Sequence, residues 1–477
     1  MNFCFFNRIL RMKFMSHIKI TKGLDIPIKG KPEGIPKLLV ASGEAHALNN
    51  PVQIALDFNP FEDLRFKLLV QVGEKVKLGQ PLAEDKDTPG RYFVSPAGGV
   101  VREIRRGLKR RLLDIVIETS NHEEVKKYPL LNLNTASREE LVGALMTGGL
   151  FARIRQRPFN FLANPQQIPR SIFVKAVESA PFAPPPDMQV KGYKKEFQEG
   201  LKTLAKLTDG AVHLIYQKDN LEPAFFNAEG VQKHTVEGPH PIGNVSLHIQ
   251  HIDPIYSPQD VIWTLDVHTV VAIGYFLLHG EYLVNRVISI AGTGILEGKT
   301  GFFQVREGFP ISSLIVGRIA KGVVRFISGN PLNGRQVSAE DFLGYYDYVF
   351  CAIPENIKRE FMHFFRLGVD KYTFSKTYLS GHLDNSQREY DFTTNQHGEE
   401  RAFIDSTLYD KVNPLSVPIM HLVKAVLAED YDLAVKLGLL EVDAEDFDLA
   451  TFVDPSKIEM SQIIRQGLKR YAADNLK

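Results

Sequence analysis

Cysteine is scarce in this chain of 477 residues, which contains only Cys4 and Cys351. A disulfide framework or a zinc ribbon needs more thiols at closer spacing, and a four-thiolate iron–sulfur cluster needs more cysteines than the chain has. The count therefore excludes a cluster of that type and favours a protein of a reducing compartment.

The sequence also lacks an apolar run of the roughly 20 residues that a membrane-spanning helix requires. The best apolar candidate, residues 269–278, is bounded by histidines and predicts a buried strand or helix. Residues 1–14 are apolar but interrupted by polar and basic residues, and no signal-peptide cleavage site follows. We expect a disordered extension over residues 1–17, or a translation start at Met15.

No sign of charge dominates, because Lys and Arg together number 57 against 56 Asp and Glu. The balance gives no general attraction to nucleic acid or to anionic lipid. One local exception is the segment 102–111, where six of ten residues are basic and none is aromatic. Without interleaved aromatics a nucleic-acid site is not indicated, which leaves a solvated hairpin or docking on an acidic partner or membrane surface.

Motifs that carry catalysis or cofactors are missing as well. No G-x-G-x-x-G follows a strand, no nucleophile elbow occurs, and the glycines before 298–300 (GKT) stand at the wrong distance for a P-loop. His240, His248 and His251 cluster without a complete ligand set, so packing competes with metal binding. We predict no catalytic, cofactor-binding or metal-binding residue in this chain.

Short strands with glycine and proline turns occupy residues 66–118. Glycine supplies the positive φ and proline the fixed φ of tight turns. The order is similar to that of biotinyl and lipoyl carrier domains, which are flattened barrel-sandwich hammerheads. Lys86 lies on the hairpin that carries the modified lysine in lipoyl domains, but its spacing is wrong, and a solvated turn residue is the better interpretation.

Farther along the chain the apolar period changes. Strand-like runs at 172–177 and 211–216 enclose apolar residues at helical spacing, which is typical of a βαβ unit of a parallel sheet. Three short strands between 286 and 327 suit a β-grasp domain. Beyond residue 414 the pattern is helical, and Asp454-Pro455 predicts the start of the final helix.

These patterns predict a multidomain α/β protein. Its predicted parts are an extension (1–17), an N-terminal region with the hammerhead β domain (18–135), a Rossmann-like α/β domain without dinucleotide fingerprint (136–265), a β-grasp (SLBB-like) domain (266–340) and a mainly helical C-terminal domain (341–477).

Cations and apolar residues alternate in residues 147–159 (TGGLFARIRQRPF). The alternation suits a ligand with a polar head and an apolar tail, or a helix end with solvated arginines. The stretch resembles the motif SGLWxxLRTRPF of the NqrA family of the Na+-translocating NADH:quinone reductase. Further resemblances to that family follow in order from residue 18 to about 471, at 22–28 (KGLDIPI), 237–241 (EGPHP), 324–329 (VRFISG), 377–382 (TYLSGH) and 451–453 (TFV).

The resemblance implies a peripheral protein of the cytoplasmic face of the bacterial inner membrane. In this family it scaffolds a six-subunit respiratory complex that transfers electrons from NADH to ubiquinone and transports Na+. The implied partners are the B, C, D, E and F subunits, with docking on the membrane-embedded B subunit. FAD, FMN, riboflavin, iron–sulfur and Na+ are expected in those subunits and no cofactor in this one, so we expect the isolated chain to be inactive with NADH.

The family's fold also resembles that of the FMN-binding subunit of complex I, whose glycine-rich loop GRGGAGFPT holds the FMN phosphate. Here Ile154, Arg155 and Gln156 stand where glycines would be needed. Loss of FMN is therefore expected. The alternatives are a stand-alone cytoplasmic flavoprotein dehydrogenase related to that complex I protein, and an acyl or biotinyl carrier built on the hammerhead.

Two stretches match those that the family links with quinone. The resulting quinone-side candidates are Arg153, Arg155, Arg157, Phe159, Ser42, Glu44 and His46. Arg155 and Arg157 would donate hydrogen bonds to quinone oxygens and Phe159 would stack on the ring. Alternatively, these arginines contact an acidic face of a membrane subunit.

Overall fold

The computed structural model describes residues 16–39, 52–357, 360–362, 365–398 and 400–476. Ser42, Glu44 and His46 lie outside the described residues, as do residues 1–15 of the predicted extension. His17, which the sequence places in that extension, is instead the first residue of a strand.

The strands are β1 (His17–Lys19), β2 (Lys37–Leu38), β3 (Gln53–Asp57), β4 (Phe66–Leu68), β5 (Lys75–Val76), β6 (Pro81–Asp85), β7 (Tyr92–Val94), β8 (Gly99–Arg106), β9 (Leu112–Thr119), β10 (Arg155–Arg157), β11 (Phe161–Leu162), β12 (Ser171–Ala176), β13 (Ala211–Gln217), β14 (Gln232–Glu237), β15 (Ile262–Asp266), β16 (Asn285–Ala291), β17 (Gly301–Arg306), β18 (Val324–Ser328), β19 (Arg335–Val337) and β20 (Val349–Pro354).

The helices are α1 (Arg138–Thr147), α2 (Asp187–Val190), α3 (Lys194–Lys206), α4 (Pro223–Phe226), α5 (Val245–Ile252), α6 (Val267–His279), α7 (Ile311–Ile315), α8 (Thr407–Val412), α9 (Ile419–Leu427), α10 (Tyr431–Lys436), α11 (Asp448–Val453) and α12 (Met460–Asn475). Within the described parts of the chain, none combines the length and the apolar character that a membrane crossing requires.

Two antiparallel sheets form the N-terminal β domain, with strand orders β3-β9-β8-β5 and β4-β6-β7. Apolar side chains from both sheets, among them Leu56, Phe93 and Ile117, share one buried core. Lys86 is exposed directly after β6, and the basic segment 102–111 forms the end of the β8–β9 hairpin. The predicted barrel-sandwich architecture is confirmed.

The central sheet has the strand order β1-β14-β13-β12-β15-β10-β11, and its strands from β1 to β15 run parallel. The unit β12–α3–β13 confirms the predicted βαβ connection. Helices α3 and α6 cross closely because both carry glycine at the crossing. A Cβ at Gly200 would lie 2.2 Å from the carbonyl oxygen of Val270, and one at Gly274 would lie 1.8 Å from that of Glu196.

A second mixed sheet has the order β19-β18-β20-β16-β17-β2. Its strand β20 lies beyond the predicted boundary at residue 340, between β18 and β16. Helix α6, in contrast, packs on α3 of the central sheet although the predicted boundary at 265 separates the two. Strand pairing and helix crossing thus join residues on either side of both predicted boundaries, which no local pattern records.

Helices α8 to α12 form the C-terminal region, which bears out its predicted helical character. The final helix begins at Met460 rather than after Asp454. The buried carboxylate of Asp454 accepts hydrogen bonds from the hydroxyl of Tyr409 and from the backbone amides of Ser456 and Ile458. It therefore closes a loop instead of capping a helix.

Candidate functional site

A crevice opens at the carboxyl ends of β12 and β15, where the order of strands along the central sheet reverses. Open α/β sheets bind ligands at such a point. The cavity has a volume of about 200 Å³. Its polar and aromatic lining consists of Lys175, Glu178, Gln189, Asp266, His268, Tyr346 and Tyr348.

Asp266 ends β15 and caps α6. Its carboxylate accepts a hydrogen bond of 2.7 Å from the backbone amide of Thr269 and one of 2.8 Å from the hydroxyl of Tyr348. Burial opposes ionisation, but nearby His268 and the hydrogen bonds from Thr269 and Tyr348 hold the pKa of Asp266 below its ordinary value. The crevice therefore contains a fixed carboxylate.

His268 stands in the first turn of α6 and is buried. Its Nε2 lies 3.0 Å from the carbonyl oxygen of Asn285, and because a carbonyl only accepts, Nε2 carries the proton. Burial, and secondarily Arg153, lowers the pKa of His268 to about 4. The ring is therefore neutral near pH 7, and its buried Nδ1, which has no hydrogen-bond partner, is an acceptor.

The lining of the crevice also contains an ion pair. The ammonium of Lys175 lies 2.8 Å from the carboxylate of Glu178. Burial opposes the ionisation of Glu178, but Lys175 outweighs it and holds the pKa of that carboxyl below its ordinary value. Glu445, from the C-terminal region, interacts with both, and burial raises its pKa.

The predicted quinone-side arginines differ in burial. Arg153 is buried, forms an ion pair with Glu307 and donates a 2.8 Å hydrogen bond to Tyr282. Its guanidinium carbon lies 5.1 Å from the ring centroid of Tyr345. Burial opposes its charge, but Glu307 outweighs that effect and raises the pKa of Arg153. This side chain is part of the protein interior.

Arg157 and Phe159 are also buried. Arg157 donates to the hydroxyl of Ser246 at 2.7 Å, while Phe159 stacks on Phe161 with ring centroids 5.7 Å apart. Arg155 approaches the crevice, since its guanidinium carbon lies 4.6 Å from the ring centroid of Tyr346. The stretch thus supports a wall of the crevice without lining it.

Sequence reasoning did not identify the crevice, because its lining comes from separate segments. One local signal was available. Asp266 follows the apolar strand β15 and directly precedes an apolar helix, a position from which a carboxylate caps the helix at the edge of a sheet.

The histidine cluster has separate partners. His240 bonds to the hydroxyl of Ser179 at 2.9 Å, His248 to the carbonyl of Ile242 at 2.8 Å, and His251 to the carbonyl of Leu247 at 2.9 Å. In the part of the chain that the structure describes, no group of three or more His, Cys, Asp or Glu is placed to hold a metal ion.

A larger open cleft of about 1290 Å³ lies between the second sheet and the C-terminal region. Aromatic side chains, including Tyr372 and Phe452, line its floor. Among its charged lining residues, Arg325 forms an ion pair with Glu355, and Lys371 forms one with Glu360. It is a broad surface rather than an enclosed binding site.

Comparison with known proteins identifies the family. Residues 18–120 match the NqrA N-terminal barrel-sandwich hybrid domain and residues 136–282 the NqrA second alpha/beta domain. The chain is 37% identical over 465 residues to the A subunit of the Na(+)-translocating NADH-quinone reductase of Chlamydia caviae, covering 96% of this chain and 97% of that protein. The chain belongs to the NqrA family.

Two further A subunits of the same reductase agree. The one from Chlamydia pneumoniae is 36% identical and the alignment covers 96% of this chain and 98% of that protein. The one from Rhodopirellula baltica is 36% identical, with 94% of this chain and 97% of that protein covered. The likeness thus extends over nearly the full length of these NqrA proteins and includes the C-terminal region.

FMN does not fit the residues of this NqrA-family chain. A phosphate cradle needs free backbone amides, usually in a glycine loop. Here residues 155–157 form strand β10, which pairs with β15 and β11, and Ile154 is fully buried. The crevice of about 200 Å³ is also smaller than the roughly 300–1,000 Å³ of typical ligand sites.

Proposed function

We propose that this chain is a peripheral component of a bacterial Na+-translocating NADH-quinone reductase, located at the cytoplasmic face of the inner membrane. It docks on the membrane-embedded B subunit and scaffolds the complex with the C, D, E and F subunits. The observation that carries the proposal is the 37% identity to the Chlamydia caviae protein over 97% of that protein's length. Likeness over nearly the whole length favours the same role, because it covers all parts of that protein and not a single shared domain.

We assign electron transfer through flavin or iron–sulfur groups to the other subunits. The backbone of β10 is paired with that of β15, so its amides are not free to hold an FMN phosphate as they would in a flavin-binding relative. A stand-alone flavoprotein dehydrogenase is not favoured for the same reason. The second sheet, with its hairpins β16–β17 and β18–β19 on either side of β20, supports a β-grasp (SLBB-like) domain in the proposed scaffold.

We also propose that the chain contributes to quinone binding. In this proposal the candidate arginines act indirectly instead of donating hydrogen bonds to the quinone. Arg155 holds the lining residue Tyr346 through a cation–π contact of 4.6 Å, and Arg153 adds to burial in lowering the pKa of the lining residue His268, so both act on the crevice without lining it. Arg157 and Phe159 maintain the packing behind it. Ser42, Glu44 and His46 remain candidates on the sequence resemblance alone.

Deletion of the gene in its native host tests this function. Membranes of the deletion strain should lose Na+-stimulated NADH:ubiquinone reduction, and a plasmid carrying the full chain should restore it. An empty plasmid serves as the negative control. Undiminished Na+-stimulated activity in the deletion strain would refute the proposal.

A further inference from the structure

The end of the β8–β9 hairpin is a compact loop beyond the last paired residues of the two strands. The backbone amide of Gly107 donates to the carbonyl of Arg111 at 2.8 Å. The guanidinium of Arg106 donates to the carbonyl of Arg110 at 3.0 Å. These bonds hold residues 106–111, called here the hairpin tip, in one conformation.

The turn within the hairpin tip has a backbone conformation that its residues do not favour. Lys109 has φ 54° and ψ 26°, and Arg110 has φ 62°. The backbone amide of Arg111 donates to the carbonyl of Leu108 at 3.1 Å and closes the turn. This is the geometry of a type I′ turn, whose two central positions favour asparagine and glycine. Because left-handed conformations of other residues cost free energy and cluster at functional sites, two basic residues here indicate a role other than stability.

The charges of the hairpin tip are all positive, and most of them are not neutralised. The two arginines nearest its base, Arg105 and Arg111, form ion pairs with carboxylates. Arg106, Lys109 and Arg110 form no ion pair with any of the described residues. The chain as a whole is nearly neutral, with 57 basic and 56 acidic residues. The hairpin tip is therefore a local concentration of positive charge that suits an anionic surface.

Leu108 lies in the midst of these cations and is 93% exposed, more than any other large apolar side chain in the described part of the chain. A single exposed leucine is common on protein surfaces, but this one is presented by a fixed turn and flanked by unneutralised cations. Apolar side chains flanked by Lys and Arg are typical of membrane-surface anchors. A nucleic-acid site would favour aromatic side chains, and the hairpin tip has none. The combination therefore fits a lipid surface.

We propose that the hairpin tip binds the surface of an anionic phospholipid bilayer. Leu108 enters the boundary between headgroups and acyl chains, and the cations of Arg106, Lys109 and Arg110 contact lipid phosphates. Each cation close to an anionic bilayer strengthens binding by about fivefold. The inference rests on the proposed function, which places the chain at the inner membrane. It adds a contact with the lipid itself, separate from docking on the membrane-embedded B subunit.

Co-sedimentation of the purified full chain with vesicles tests this contact in the absence of any partner protein. The probe vesicles contain equal parts of phosphatidylglycerol and phosphatidylcholine, and the comparison vesicles contain phosphatidylcholine alone. At about 50 mM salt we expect binding to the anionic vesicles to be at least about tenfold stronger. Raising the salt to about 500 mM should remove most of that difference, because it screens exposed charges. Equal binding to both kinds of vesicle, or binding to neither, would overturn the inference.

A double variant separates lipid binding from stability. Lys109→Asn/Arg110→Gly removes two cations and supplies the residues that a type I′ turn favours. It should bind the anionic vesicles about thirtyfold more weakly, yet unfold at a urea concentration no lower than that of the unmodified protein. The control Lys299→Asn/Lys321→Asn removes two exposed lysines elsewhere and should bind as the unmodified protein does. Equal weakening by the two double variants would show that net charge alone drives binding and would refute the site.

A second variant tests the insertion of the apolar side chain. Leu108→Ser should weaken binding to the anionic vesicles by about tenfold, because a hydroxymethyl group gains little from leaving water. The matched control is Leu221→Ser, at another leucine that is 84% exposed, and it should leave binding unchanged. Binding that is unaffected by Leu108→Ser would contradict the insertion.

Failure of the inference differs from failure of the proposed function. A chain that restores Na+-stimulated activity to the deletion strain, yet binds anionic vesicles no better than neutral ones, would refute only the lipid contact. A chain that binds anionic vesicles as expected but does not restore activity would refute the proposed function.

Discussion

Arg153 and Arg155 are two positions apart, yet their charges are balanced by different means. Arg153 is enclosed by Glu307, Tyr282 and Tyr345, whereas Arg155 donates to the carbonyl of Asn160 and covers the ring of Tyr346. Removing Arg153 would leave a buried carboxylate without its counter-charge, and removing Arg155 would chiefly free a tyrosine ring. Stability is therefore the property that should report on Arg153.

We predict that Arg153→Leu lowers the free energy of unfolding by about 3–5 kcal/mol, because it leaves Glu307 buried and unpaired. The double variant Arg153→Leu/Glu307→Leu should recover much of that loss. As a control, Arg102→Leu breaks an exposed pair with Glu118 at 4.0 Å and should cost less than about 1 kcal/mol. Urea unfolding measures all three, and an Arg153→Leu protein as stable as the control would contradict the assignment.

At the scale of elements, the crossing of α3 and α6 depends on the absence of side chains at two positions. We predict that Gly274→Ala destabilises the protein by about 1–3 kcal/mol, because the new methyl group would meet the carbonyl of Glu196 and push the helices apart. Gly143→Ala, within α1, meets no atom within 4 Å and should instead stabilise by about 0.5–1 kcal/mol. Thermal unfolding distinguishes these opposite signs, and equal shifts would contradict the close crossing.

The turn at residues 444–447 brings Glu445 of the C-terminal region to the ion pair of Lys175 and Glu178. Burial raises the pKa of Glu445 from its ordinary 4.5, so the native state retains a proton that the unfolded chain has released. The stability that protonated Glu445 contributes is therefore lost as the pH rises from the ordinary pKa to the raised pKa. Above the raised pKa no further stability is lost through this group.

Glu445→Gln removes this titration. We predict that the stability of the variant relative to the unmodified protein increases between pH 5 and pH 8. The difference between their free energies of unfolding should change by on the order of 1 kcal/mol. Urea unfolding at the two pH values gives the difference. A relative stability that is the same at both would show that Glu445 does not bind a proton on folding.

Local sequence patterns predicted those strands and helices whose apolar periodicity lies within a short segment. The strands and helix of β12–α3–β13 and the apolar face of α9 follow from periodicity within a few turns. The places of β1, β2 and β20 in their sheets did not follow, because each pairs with a strand distant in sequence. Asp454 was misread as a helix cap since its partners, Tyr409 among them, are set by tertiary packing.

The candidate site was only partly predictable for the same reason. The sequence singled out the stretch 153–159 but not its burial, which depends on Glu307, Ser246 and other distant partners. The crevice joins residues near 175, 186, 266 and 346, and only the fold brings these together. Sequence could indicate a family and a region, but not the crevice, which only the fold forms.

At the scale of the whole molecule, the N-terminal residues hold the sheets together. Strand β1 extends the central sheet, β2 extends the second sheet, and Ile28 between them bridges to Tyr390 near the C-terminal region. The hammerhead domain follows as an insertion between these strands and the rest of the chain. The N-terminal residues thus contact both sheets and the segment around Tyr390.

We propose that this chain is a flavin-free component of a Na+-translocating NADH-quinone reductase. Affinity purification of the tagged chain from membranes solubilised in mild detergent tests it most directly, with partners identified by mass spectrometry and flavin measured on the separated chain. We predict equimolar recovery with the B, C, D, E and F subunits, no flavin on this chain, and no NADH oxidation by the chain alone. Recovery of the chain without partners, carrying stoichiometric flavin and oxidising NADH, would contradict the account.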